Sequence, residues 1–102
     1  MSARETLIHM LRQLLKEVEI VTSQGAGYYT CVPFARRYNR LLTASRKLFE
    51  GDEEGLIIGT FDELSESDPK DPSEKSTYMV HVRVEVSQLI ALLESTDKDR
   101  PA

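Results

Sequence analysis

The chain predicts a mainly α fold, a small bundle of three or four helices, from three observations. Ser2 and Glu5 have the Ser-x-x-Glu spacing of a capping box, in which a side-chain oxygen satisfies a free N–H of a helix start. Leu7, Leu11, Leu14, Val18 and Val21 then recur at alternating steps of four and three, the period of one helix face. A second stretch, with Phe34, Tyr38, Leu41, Leu42, Leu48 and Phe49 on one side, repeats the pattern.

The first helix is expected from about Ala3 to Ser23, closed by Gly25 and Gly27, because glycine adopts the left-handed backbone that ends helices. Gly25-Ala26-Gly27 is read as a turn. A phosphate loop needs either a preceding strand and a third glycine or a Gly-Lys-Ser/Thr ending, and neither stands here. The second helix is expected to begin at Thr30 as its cap, with Pro33 in the first turn, where no intrahelical donor is lost. Gly51 closes it. Asp52, Glu53 and Glu54 place carboxylates at the positive end of a third, short helix whose inward residues are expected to be Ile57, Phe61 and Leu64.

Ser65 to Ser76 is a loop by composition, with no apolar residue apart from two prolines, although Asp71-Pro72 followed by Glu74 reads as a helix start. Thr77 to Ser95 supports two readings. Tyr78, Val80, Val82, Val84 and Val86 alternate as in a half-buried strand, while Met79, Val82, Val86, Leu89 and Leu93 form a helical stripe. A lone hairpin is marginal in water and its partner would lie across a long loop, so helix is preferred. The alternative is an α+β domain with three helices and an antiparallel hairpin from 56–61 and 77–86. Either way, residues 1–95 form one domain and 96–102 a polar tail.

Composition excludes several function classes. No apolar run approaches the ~18 to 20 residues needed to span a bilayer, and His9, Arg12 and Gln13 interrupt any secretory apolar segment, so a cytoplasmic protein without membrane contact is expected. The single cysteine, Cys31, can form no intramolecular disulfide. His9 and His81 lack neighbours at metal-ligand spacing, and no cofactor or metal is expected. Cys31 stands near a helix start whose dipole would lower its pKa, which makes it or a histidine the only basis for a small enzyme. No serine lies in a Gly-x-Ser-x-Gly setting.

The net charge of -4 is unevenly spread: Ile20 to Phe49 carries Arg36, Arg37, Arg40, Arg46 and Lys47 with no acid, whereas Glu50 to Lys75 carries ten acids against two lysines. The opposite blocks are expected to neutralise each other within the fold or across a dimer. The candidate anion- or partner-binding residues are Tyr28, Tyr29, Arg36, Arg40 and Lys47, because arginines can contact phosphates while tyrosines stack on bases. An acidic chain without a nucleic-acid-binding signature is nonetheless expected to work through protein contacts. The leading expectation is a non-catalytic interaction or assembly domain, a homodimer or a subunit of a larger assembly, with Leu7, Leu11, Leu14 and Val18 buried partly across a subunit contact. A nucleic-acid accessory protein using the basic face is the alternative.

Overall fold

The computed structural model describes residues 2–25 and 30–98 and is a mainly α bundle: α1 Ala3–Thr22, α2 Val32–Leu48, α3 Glu54–Ile58 and α4 Pro72–Lys98, with no strand among the described residues. The Ser2 hydroxyl accepts the Glu5 N–H at 3.1 Å and starts α1. Gly25 and Gly51, with φ of 95° and 86°, take the left-handed backbone that turns the chain after α1 and α2. Segment 77–86 lies wholly inside α4 and 56–58 inside α3, so the hairpin alternative is discarded.

Helix α1 packs against both α4 and α2, and most extensively against α4. Most of its stripe is covered within one chain: Leu11 and Val18 have no exposed surface, Leu14 keeps 3% and Leu7 8%, while Val21 at its end is half-buried. Leu7, Leu11, Leu14 and Val18, expected to lie partly across a subunit contact, are thus buried within their own chain. Tyr38 and Leu42 from α2, Phe49 just after it, Ile58 from α3, and Met79, Val82, Val86, Leu89 and Leu93 from α4 complete one continuous core. Such closure accounts for the stability of a domain without disulfides, each buried large side chain contributing roughly 1.5–3 kcal/mol.

The acidic middle segment does more than connect. From Phe61 to Pro69 the chain runs without a turn along the side of α2. Arg46 donates to the Phe61 carbonyl, Asn39 pairs with Leu64, Arg36 with Glu66, and the Cys31 N–H with Asp68. Fifteen helical residues from Cys31 to Arg46 advance about 22 Å at 1.5 Å each, and seven extended residues from Phe61 to Asp68 advance about 23 Å. The two lengths match, so this strap returns the chain to the end of α2 where α4 begins.

Three local expectations change. Helix α2 begins at Val32 with Cys31 in the cap position, and no side chain there bonds the backbone, so Thr30 is not the cap. Asp68 of the strap takes that role through the Cys31 N–H at 3.0 Å. In α3, Ile58 is buried and Ile57 is 54% exposed, the reverse of the expected register, while Phe61 and Leu64 lie half-buried in the strap beyond the helix. Helix α4 starts at Pro72, with Asp71 Oδ1 accepting the Ser73 N–H at 2.9 Å as the Asp71-Pro72 start signal implies, so the expected loop ends before 72–76, and the helix continues to Lys98, into the expected tail.

Candidate functional site

The basic face of α2 is divided by the strap. Arg36 Nε donates to Glu66 Oε1 at 3.0 Å, and Asn39 Nδ2 lies 3.4 Å from the other oxygen of that carboxylate. These two bonds, with Arg40 nearby, hold the Glu66 carboxyl below its ordinary range. Arg46 bonds the Phe61 carbonyl and lies 3.7 Å from Glu63. Acids of the strap thus neutralise part of the basic block inside the chain, as opposite charge blocks predict. Of the candidates named from sequence, Arg36 is occupied, Arg40 faces Glu66 electrostatically, and Lys47 makes no ion pair among the described residues. Tyr28 and Tyr29 lie outside the described residues.

Two protonated groups of the interior, the Cys31 thiol and the Tyr38 hydroxyl, each lie beside a carboxylate, Asp68 and Glu85. The Cys31 side chain has no exposed surface. Burial pushes its thiol pKa up, and the Asp68 carboxylate beside it pushes the same way. The expectation that the helix dipole lowers it is therefore overturned, because desolvation and a neighbouring anion both disfavour the thiolate. Tyr38 is likewise buried, its hydroxyl 3.4 Å from Glu85 Oε2, and desolvation followed by that carboxylate raises its pKa far above the ordinary phenol value. His9 lies on the exposed side of α1 and His81 on that of α4. No group of three histidine, cysteine, aspartate or glutamate residues able to hold a metal occurs among the described residues.

The surface is more informative than the interior. Val80 and Val84 of α4 are 53% and 48% exposed. They belong to a second stripe, Ser73, Thr77, Val80, Val84, Ser87 and Ala91, which recurs at steps of four and three on the side away from the core and is exposed throughout. None of the charged residues of α4 falls in it. The spacing stands in the sequence, but the valines also complete the alternation from Tyr78 to Val86, which hid the stripe behind a strand-like pattern.

Two other apolar features are exposed. On α3, Leu56 and Ile57 are 80% and 54% exposed and follow Glu50, Asp52 and Glu53, none of which makes an ion pair among the described residues. Between α1 and α2 lie two shallow pockets, one lined by Met10, Gln13, Glu17 and Arg37, the other by Thr6, Leu7, Ala44, Lys47 and Leu48. One interior oddity is Arg4: it is 7% exposed, its guanidinium carbon lies 5.3 Å from the centre of the Phe49 ring, and its Nε and Nη1 bond nothing among the described residues.

No known family, curated protein or solved structure matches the chain, so its own residues carry the functional reading. Among the described residues, no helix is long and apolar enough to cross a membrane.

Proposed function

We propose that this protein is a non-catalytic helical interaction domain, active in the cytoplasm, that docks a helix of a partner protein along the outer face of α4. The carrying observation is the uncharged, exposed stripe from Ser73 to Ala91, with Val80 and Val84 at its centre. A helix whose core-facing side is already satisfied gains nothing for its own fold from exposed valines, which are poorer helix formers than alanine. Residues at steps of four and three over six positions, about 27 Å of helix, form the seam into which a second helix packs. The strap supports the reading in another way. By pairing Arg36 and Arg46 with its own acids it weakens the cationic surface that nucleic acid would require.

A photo-crosslinking residue placed at position 84 in the source cell tests this. The expected result is a discrete covalent adduct, lost when Val80→Glu is added and not formed from position 20, where Ile20 is equally exposed. The Val80→Glu chain should keep its helix content. Absence of an adduct from position 84, or equal adducts from 84 and 20, overturns the reading.

A further inference from the structure

The outer stripe of α4 changes character toward its N-terminal end. Val80 and Val84 fill its centre, but Thr77 and Ser73 beyond them are smaller, and the surface there sinks into a shallow pocket of about 370 Å³. Glu74, Tyr78 and His81 line this pocket together with Ser73 and Thr77, and Pro69 of the strap completes it. Tyr78 is held in place, because its hydroxyl donates to the Ser65 carbonyl. Glu74 makes no ion pair among the described residues, which leaves its carboxylate open to a donor.

Stripe and pocket are continuous, since Ser73 and Thr77 belong to both. A helix laid along Val80 and Val84 toward Ser73 therefore passes over the pocket. We infer that the pocket receives one large aromatic side chain of the partner helix, a tryptophan or tyrosine, whose ring fills the space and whose N–H or O–H meets Glu74. The assignment rests on α4 being the docking face proposed above, and it names the residue by which the partner is fixed.

The chemistry of the lining selects that side chain. Small residues at 73 and 77 leave a gap that only a large side chain fills, and the gain from excluding water grows with the apolar area covered. A purely aliphatic side chain would strip water from the Glu74 carboxylate without replacing its hydrogen bonds. A carboxylate would meet Glu74 as a like charge. A lysine or arginine would satisfy Glu74 but stand at the positive end of α4, where Glu74 in the first turn already complements the helix dipole. An aromatic ring with one neutral donor avoids all three costs, and it packs against Pro69 and Tyr78 with little loss of rotamer freedom.

Synthetic helical peptides test this against the whole chain. Each carries leucines at steps of four and three along the length of the stripe, and a single variable residue, placed at one end or the other, is tryptophan, leucine or arginine. Anisotropy of a terminal label reads the binding. The tryptophan peptide is expected to bind at least about tenfold more tightly than the other two, the scale of one aromatic anchor. The chain contains no tryptophan, so emission of the peptide's own indole should shift to the blue as it enters the pocket. Thr77→Phe fills the pocket from the chain's side and should abolish both the preference and the shift, with thermal melting showing the fold intact. Equal or weaker binding of the tryptophan peptide, a preference that survives Thr77→Phe, or no binding of any peptide overturns the inference. The docking face itself is judged separately: Val80→Glu should weaken every peptide alike, and the crosslink from position 84 needs no peptide.

Discussion

Asp68 caps α2 from 37 residues beyond Cys31, its Oδ1 accepting the Cys31 N–H at 3.0 Å. Lys75, from the first turn of α4, approaches the same carboxylate to 3.6 Å. One side chain thereby ties the strap to the starts of two helices. Asp68→Ala removes the cap, and the expected drop in melting temperature is roughly 4 °C, the scale for losing one such bond in a domain of this size. Alkylation of Cys31, slow in the native protein because the thiol is buried and its pKa raised, should accelerate in the same variant.

The strap should also respond to acid. The carboxyls of Glu66, Asp68 and Asp71 are held below their ordinary pKa: Glu66 first by Arg36, Asp68 first by the Cys31 N–H, and Asp71 first by the Ser73 N–H. A group with a depressed folded pKa contributes stability that is fully present above its unfolded value and is lost as pH falls through the folded one. Melting temperature is therefore expected to be flat above about pH 5 and to fall below about pH 4, where free carboxyls titrate. The Asp68→Asn chain should show a shallower fall. A melting temperature independent of pH down to the acid limit would contradict this account.

Asn39 reads the strap as a strand would, donating to the Leu64 carbonyl at 2.8 Å and accepting the Leu64 N–H at 2.8 Å. Asn39→Ala leaves both backbone groups half-buried without partners. The expected cost is about 2 kcal/mol by denaturant unfolding, with amide exchange at Leu64 rising far more than in the core of α1. Equal protection of Leu64 in the two proteins would count against the strap being held there.

Tyr38→Phe isolates a single long bond. The ring stays buried, while Glu85 loses the hydroxyl 3.4 Å away. The cost should be near 1 kcal/mol, against roughly 3–5 kcal/mol for Tyr38→Ala, which also opens a cavity.

Among the described residues, Arg4 buries charge without a hydrogen-bonding partner for Nε or Nη1, and its compensation is the face of Phe49. Arg4→Met keeps contact with that ring and removes the unsatisfied donors, so stability is expected to rise by about 1 kcal/mol. A destabilised Arg4→Met chain would show that the cation is held more favourably than its contacts indicate.

Val80→Ala with Val84→Ala provides the counterpart on the surface. Alanine is the better helix former, and two exposed replacements should stabilise the isolated chain by about 1 kcal/mol in total. The same change should weaken the crosslink from position 84. A loss of stability instead would mean that the valines serve the fold itself.

How legible these features are in the sequence depends on how far apart the cooperating residues stand. Helix α1 is readable because Ser2 caps it three residues away and a single apolar face repeats along it. The cap of α2 is not, since Asp68 is distant in sequence and Thr30 stands where a local cap would. Five residues of α3 contain too little periodicity to decide which of Ile57 and Ile58 turns inward. Helix α4 carries valines on its outer as well as its inner face, so those of the outer stripe also complete a strand-like alternation, and only the want of a nearby strand to pair with separates the two readings. In the basic block, sequence displays the cations but not that Arg36 and Arg46 are already matched by Glu66 and Glu63.

The near-equality of the strap and the stretch of α2 beside it makes the connection a ruler as well as a tether. Because α2 and α4 run in the same direction, the axial offset between them is set by how many extended residues separate Phe61 from Asp68. Deleting one would pull the start of α4 back by about 3 Å, two helical residues' worth of rise, and move its apolar side chains out of register with those of α1 and α2. An inserted residue could instead bulge into solvent and leave the offset unchanged. Tolerance to length change is thus one-sided here: this polar stretch can grow, but it cannot shorten without sliding one helix along the others.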